Sequence, residues 1–177
     1  MNIRTPLTAS ALLAASLISG AAHAALQGRD RNGSAGSFEA YYDTDLDITW
    51  LADANLAASN TFGLFDINAD GSMDWAKASM AWIGHMNEAN YLGFNDWRLP
   101  VSMQPDAACS EIGSPVSADH GFNCTGSEMG HLFYNELGGV AGESITTTHN
   151  DNYQLFQNIQ DAKWYWTGTV DSFPAES

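Results

Sequence analysis

Between Phe38 and Trp50 the chain alternates with a partial period of two. Ala40, Tyr42, Leu46, Ile48 and Trp50 are set against Tyr41, Asp43, Asp45, Asp47 and Thr49, which predicts a hairpin or bent strand with one wet face and a turn at Asp43 to Asp45. Further on the period changes. Trp75, Ala78, Ser79, Trp82, Met86 and Ala89 recur at helical spacing, with Ser72 or Asp74 as N-cap and Gly93 beyond the end. A second, shorter helix is expected to start at Ser127 as N-cap, with Glu128 facing the positive end of the helix dipole. It carries Leu132, Phe133 and Leu137 on one face and stops at Gly138. Between the helices, Trp97-Arg98-Leu99-Pro100 reads as extended, because a residue that precedes proline avoids the helical region. After Gly138 the chain turns polar. Leu155, Phe156 and Ile159 then mark a short packed segment, and residues 163–170 alternate Trp164, Trp166 and Gly168 with polar neighbours like a last strand. This succession of elements predicts an α+β fold, two helices packed on a small, mostly antiparallel sheet with long loops.

The N-terminus has a different character. Arg4 precedes an apolar, small-residue run over residues 7–22, and Ala22-His23-Ala24 has the small-x-small form that signal peptidase cuts. Thr8, Ser10, Ser16 and Ser19 interrupt the run, which is short for a span of roughly 20 residues, so residues 1–24 read as a secretory signal and not an anchor. Residues 25–37, rich in Gly and polar side chains, read as a flexible leader, and residues 38–177 as one domain. The expected location is the periplasm or the extracellular space, with no stable membrane insertion after cleavage.

Charge narrows the partners. The chain carries 6 basic and 21 acidic residues, and removing residues 1–24 takes away Arg4 and no acid, which lowers the net charge from −15 to −16. Such a surface repels polyanions, so nucleic acid and anionic membranes are poor partners. Cys109 and Cys124 both lie in the exported part, where oxidising conditions make a disulfide the default. A redox pair is expected closer together, as Cys-x-x-Cys.

The same acidity suits divalent cations. Asp66, Asn68, Asp70 and Asp74, with Gly71 allowing a sharp turn, have the alternate-oxygen spacing of the first half of an EF-hand-type calcium loop. The twelfth position, where such loops place a bidentate carboxylate, is Lys77. The same residues are also ordinary turn and N-cap vocabulary, so turn-plus-cap and calcium site stand as alternatives, with Asp43, Asp45 or Asp47 as further donors. Zinc needs three or four convergent ligands. His120, His131 and His149 are scattered, Glu128 with His131 is an isolated i, i+3 pair, and His131 reads as a packed, hydrogen-bonded residue. His85 reads as a partly exposed polar position on the first helix. No Gly-x-Ser-x-Gly elbow is present and no third residue completes Ser127 and His131, so catalysis is not expected. Arg98 is expected in a partly buried ion pair, with Asp96 or an acid of the first strand as partner, while Trp97 is expected in the core. Tyr41, Tyr42, Tyr91, Tyr153, Trp164 and Tyr165 join flat apolar surface to a hydrogen-bonding edge and are candidates for stacking on sugar faces.

Four ordered motifs, namely Phe38 to Trp50, Trp97-Arg98-Leu99-Pro100, the stretch from Gly126 to Tyr134, and Tyr165-Trp166-Thr167-Gly168-Thr169, together resemble the Lcl C-terminal domain family. This is a group of secreted bacterial modules related in fold to C-type lectins. The resemblance covers Phe38 to Thr169. It implies a C-type-lectin-like fold, with Trp97, Arg98, Leu99 and Pro100 as structural signature and Trp166 on the core Trp-x-Gly strand. Family members continue past that strand, so the resemblance also implies a domain lacking its last strands and a sorting tail. In function it implies a non-catalytic binding module, acting in glycan or extracellular-matrix recognition and adhesion. The charge favours neutral sugars or a protein partner over sulfated polysaccharides, unless calcium bridges the ligand. A structural protein of a polysaccharide matrix and, further off, a cation-dependent hydrolase are the alternatives.

Overall fold

The computed structural model describes residues 26–33, 37–114, 117–161 and 163–169, and the expected signal at residues 1–24 lies outside them. The fold is α+β. Three short strands, β1 (Leu26–Arg29), β2 (Ala40–Asp43) and β3 (Ile48–Leu51), form an antiparallel sheet in sequence order. Strand β1 falls within the stretch expected to be a flexible leader. It pairs Leu26 with Asp43 and Arg29 with Ala40, and the Arg29 guanidinium sits 4.6 Å from the centre of the Tyr42 ring, so the domain's sheet starts at Leu26.

The hairpin forms where the alternation placed it, but β2 faces the other way. Residues 44–47 close the turn, with Asp47 at φ 55°, and β2 pairs with β3 as Tyr41 to Trp50 and Asp43 to Ile48. A strand running straight on would keep even-numbered positions on one face. This turn pairs odd positions of β2 with even positions of β3, and one step of register flips a strand's side chains. Tyr41 and Asp43 are therefore buried beside Trp50, while Tyr42 donates its hydroxyl to Asp47 Oδ1 at 2.5 Å on the outer face.

The first helix, α1, is a π-helical segment Lys77–Trp82 that runs directly into an α-helix Ile83–Glu88. Asp74 caps it, its Oδ1 accepting from the Lys77 amide at 2.8 Å. The second, α2, reverses that order, with an α-helical turn Glu128–His131 followed by a π-turn Leu132–Glu136. Ser127 stands at its N-cap with extended backbone, and Gly138, at φ 68°, follows its end. Packing at the start of α2 is tight, and a Cβ on Gly130 would collide with the Cys124 carbonyl.

Two apolar clusters result. One joins sheet to α2 through Tyr41, Trp50, Ala52, Leu137 and Phe156; the other is built on α1 from Leu56, Trp82, Ile83 and Met86. Burying each such side chain stabilises by roughly 1.5–3 kcal/mol. The expected packed segment is a 3₁₀ helix, Asp151–Leu155, that delivers Phe156 to the first cluster.

The expected last strand is absent among residues 163–169. The segment joins residues 100–102 by one backbone hydrogen bond, from the Gly168 amide to the Pro100 carbonyl at 2.8 Å, supplemented by Thr169 Oγ1 with the Ser102 amide and carbonyl. Pro100 has no N–H to offer in return, so a ladder cannot continue there. Trp166 is correspondingly not a core residue. It is 45% exposed, its indole N–H donating to the Met73 carbonyl at 2.8 Å. No helix among the described residues is long and apolar enough to cross a membrane.

Candidate functional site

Two features stand out, an open groove and a closed junction. The groove has a volume of about 1450 Å³ and runs between the two apolar clusters. Trp50, Leu51, Leu56, Trp82 and Phe156 contribute to its apolar lining, and Asp47, Asp53, Asp70, Asp96 and Asp161 add carboxylates. Residues 163–166 lie along it. Trp164 is 94% exposed, and Tyr165 is fixed by accepting the Gln160 amide on its hydroxyl at 2.7 Å. Of the other aromatics expected to meet sugars, Tyr41 is buried and Tyr91 packs edge-on against Phe62 in the helix cluster.

The loop of residues 66–74 borders this groove through Asp70, Gly71, Ser72 and Met73. Several of its oxygens are occupied by the protein itself. Asp70 Oδ1 accepts from the Ser72 amide and hydroxyl at 3.1 and 2.7 Å, and Asp70 Oδ2 lies 3.4 Å from Lys163 Nζ. Those bonds hold the Asp70 carboxyl down at a pKa of about 2. Asn68 Nδ2 donates to Ser72 Oγ, Asp74 caps α1, and Lys77 Nζ donates to the Asp66 carbonyl at 2.8 Å. Gly71, at φ 82°, makes the turn. Among the described residues, Asp66, Asp70 and Asp74 do not form a group whose carboxylate oxygens converge.

The signature residues hold the groove's wall. Trp97 is half-buried against the α1 cluster, its backbone clamped by Asn87, which accepts from the Trp97 amide at 2.8 Å and donates to its carbonyl at 2.9 Å. Arg98 pairs with Glu128 on α2, and not with Asp96 or an acid of the sheet, through two bonds of 2.7 and 2.6 Å. The Val101 amide adds a third at 2.7 Å. Partial burial works against the Glu128 charge, but Arg98 and the Val101 amide outweigh it and keep the carboxyl below its usual range.

The junction lies where the sheet meets α2. Asp43 (0% exposed), His131 (9%) and Glu136 (1%) converge there, with all three ligand atoms within 4.8 Å of one another. His131 Nε2 stands 3.4 Å from Glu136 Oε1 and 3.9 Å from Asp43 Oδ2. The π-turn makes this meeting possible. Residues five apart on an α-helix point about 140° away from each other at 3.6 residues per turn. Here the Leu137 amide bonds the Leu132 carbonyl five residues back, at 2.9 Å, and the wider turn brings His131 and Glu136 to one side. Asp43 is held rigidly. Its Oδ1 accepts from the Asp45 and Leu46 amides, and its Oδ2 from the Trp50 indole at 3.2 Å. By contrast His131 Nε2 and both Glu136 oxygens have no hydrogen-bond partner. Burial, then the Asp43 charge, push the Glu136 carboxyl above the usual glutamate range, with His131 pulling the other way.

Pattern reading missed this junction although one sign of it was present. Glu136 sits four residues after Leu132 and three after Phe133, an acid on the stripe assigned to the core. The Asp43 contribution was hidden by the register of the hairpin. Elsewhere Cys109 and Cys124 form the expected disulfide, which commits both sulfurs, and Asp106 beside them accepts from the Ala108 and Gly126 amides. His120 lies at the surface, its ring between Glu111 and the Ala118 carbonyl. Comparison with protein-family models, with curated proteins and with solved structures finds no match to this chain.

Proposed function

We propose that the chain is an exported, non-catalytic binding module of the Lcl C-terminal, C-type-lectin-like kind, taking a neutral glycan in the groove beside residues 163–166. One observation carries this reading. Trp164 leaves a large indole almost wholly in solvent at the edge of an apolar groove, where nothing among the described residues packs on it. Flat aromatic surface next to hydrogen-bonding groups is what a sugar ring's apolar face and hydroxyls stack on and bond to. The neighbouring carboxylates Asp70 and Asp161 accept hydrogen bonds from hydroxyls but repel sulfate, which selects neutral chains over polyanions. The disulfide and the expected signal agree with export to the periplasm or beyond. Calcium at residues 66–74, if it binds, would have to displace Lys77 from the Asp66 carbonyl and Lys163 from Asp70, and would serve as a bridge at the groove's border.

The test is tryptophan fluorescence of the chain titrated with neutral and with sulfated oligosaccharides. The reading requires a saturable change with a neutral glycan that Trp164→Ala abolishes while the unfolding midpoint stays unchanged, since an exposed side chain supports no packing. The absence of any saturable change across both classes would overturn it in favour of a matrix protein without a sugar pocket.

A further inference from the structure

We propose that Asp43, His131 and Glu136 bind one divalent first-row transition metal, zinc foremost, in a closed site that pins α2 to the sheet. The donor set suits such an ion. One imidazole nitrogen and two carboxylates are zinc ligands, whereas calcium takes six to eight oxygens. The spacing suits it too. Ligands about 2.0–2.2 Å from a tetrahedral metal stand about 3.4 Å apart. The separations at His131 Nε2 are 3.4 and 3.9 Å.

The partners of these groups point the same way. The atoms left unbonded in this buried place are His131 Nε2 and the two Glu136 oxygens, those a metal would take, with Glu136 able to supply both oxygens. A carboxylate with two unpartnered oxygens in a closed interior is costly, and a single imidazole N–H cannot satisfy both. With His131 neutral the three groups sum to two negative charges, which one divalent cation cancels; a protonated His131 would leave one uncancelled. The surrounding shell is also in place. Asp43 is oriented by the Asp45 and Leu46 amides and the Trp50 indole. The Asn135 side-chain amide, through Nδ2, lies 3.0 Å from His131 Nδ1, and an amide's nitrogen and oxygen exchange places by a flip. Turned so that its oxygen faces the ring, Asn135 accepts from Nδ1–H and leaves the Nε2 lone pair free for the metal, the arrangement common behind ligating histidines.

This inference is independent of the glycan reading and has its own readout. The full chain, without an affinity tag and stripped with chelator, is titrated with cobalt(II) and then zinc. The proposal predicts one cobalt per chain with visible ligand-field absorption, displacement by zinc, and a higher unfolding midpoint in zinc, since a ligand of the folded state stabilises it. Glu136→Gln, nearly isosteric, should abolish the cobalt spectrum, and Asn135→Leu should weaken binding by about 10- to 100-fold. His120→Ala and Asp70→Ala should leave both unchanged. A cobalt spectrum that survives in Glu136→Gln, or a wild-type chain that takes up no stoichiometric metal, would overturn the proposal. Should Glu136→Gln not fold, the wild-type stoichiometry and the Asn135→Leu affinity decide the question between them.

Discussion

The loop of residues 66–74 and the junction of Asp43, His131 and Glu136 are both acidic, yet they are opposites. In the loop the carboxylates are exposed to water, and those of Asp70 and Asp74 are answered by amides, a hydroxyl and a lysine. In the junction Glu136 is buried with neither oxygen hydrogen-bonded, and only His131 Nε2, at 3.4 Å, stands near to offset it. Acids are abundant in this chain, so their density along the sequence says little about where charge is left over. What decides is burial together with the number of N–H groups within reach. Asp106 and Asp119 show the middle case: both are buried, and both are satisfied by backbone amides, from Ala108 and Gly126 in one and from Asp106 and Gly113 in the other. The uncompensated site is therefore the junction, and the sequence motif that looks most like a cation loop is the better compensated of the two.

The largest effect that would break this contrast lies at Asp43. Asp43→Ala leaves the Trp50 indole and two amides without an acceptor and removes one side of the junction. It should cost about 3–5 kcal/mol, the range for breaking a buried charged cluster, read from denaturant unfolding. A cost near zero would mean that the junction carries no structural weight. Next comes the satisfied case. Replacing both Cys109 and Cys124 by Ser frees a loop with a sequence separation of 15, and should cost about 3 kcal/mol by loop-closure entropy while leaving metal uptake intact.

A smaller change, of opposite sign, sharpens the contrast. In chelated protein Glu136→Gln should raise the unfolding midpoint at pH 7. The Glu136 carboxyl is raised in the folded state, so its ionisation opposes folding; the penalty is absent below the unfolded glutamate pKa and complete above the folded one. A gain of about 1 kcal/mol would appear as roughly 2–4 °C for a chain of this size. In zinc the same variant should instead melt lower than wild type. Glu128→Gln should cost about 1 kcal/mol at neutral pH, since half-exposed Arg98 limits the bond's worth. Because the Glu128 carboxyl is depressed, that contribution is present above the unfolded glutamate pKa and fades as pH falls through the folded one, so wild type and variant should converge in acid. Asp70→Ala in metal-free protein should have the smallest effect. Salt should remove the part owed to Lys163, and the whole contribution, owed first to the Ser72 bonds, should fade as pH falls from about 4 towards the folded pKa of about 2.

Much of the architecture was legible because it rests on local rules. The period of α1, the Asp74 cap, the Gly138 stop and the Cys109–Cys124 bridge follow from spacing, capping chemistry and compartment. Three features were not legible, each for a stated reason. Strand β1 is four residues long and lies at the sheet edge, paired with β2, so that partner decides its fate more than its own composition does. The segment of residues 163–169 alternates like a strand, but its facing partner offers a proline in place of a donor. The junction was hidden twice over, by a hairpin register that turns Asp43 inward and by a π-turn that joins residues five apart, a spacing no α-helical pattern pairs.

The most direct test of the uncompensated junction is an anomalous difference map from a crystal of the chain grown with zinc and measured at the zinc absorption edge. The account predicts a peak roughly 2.0–2.2 Å from His131 Nε2, Glu136 and Asp43, and none of comparable height at residues 66–74. A map without density at the junction, with His131 Nε2 hydrogen-bonded directly to Glu136, would contradict it.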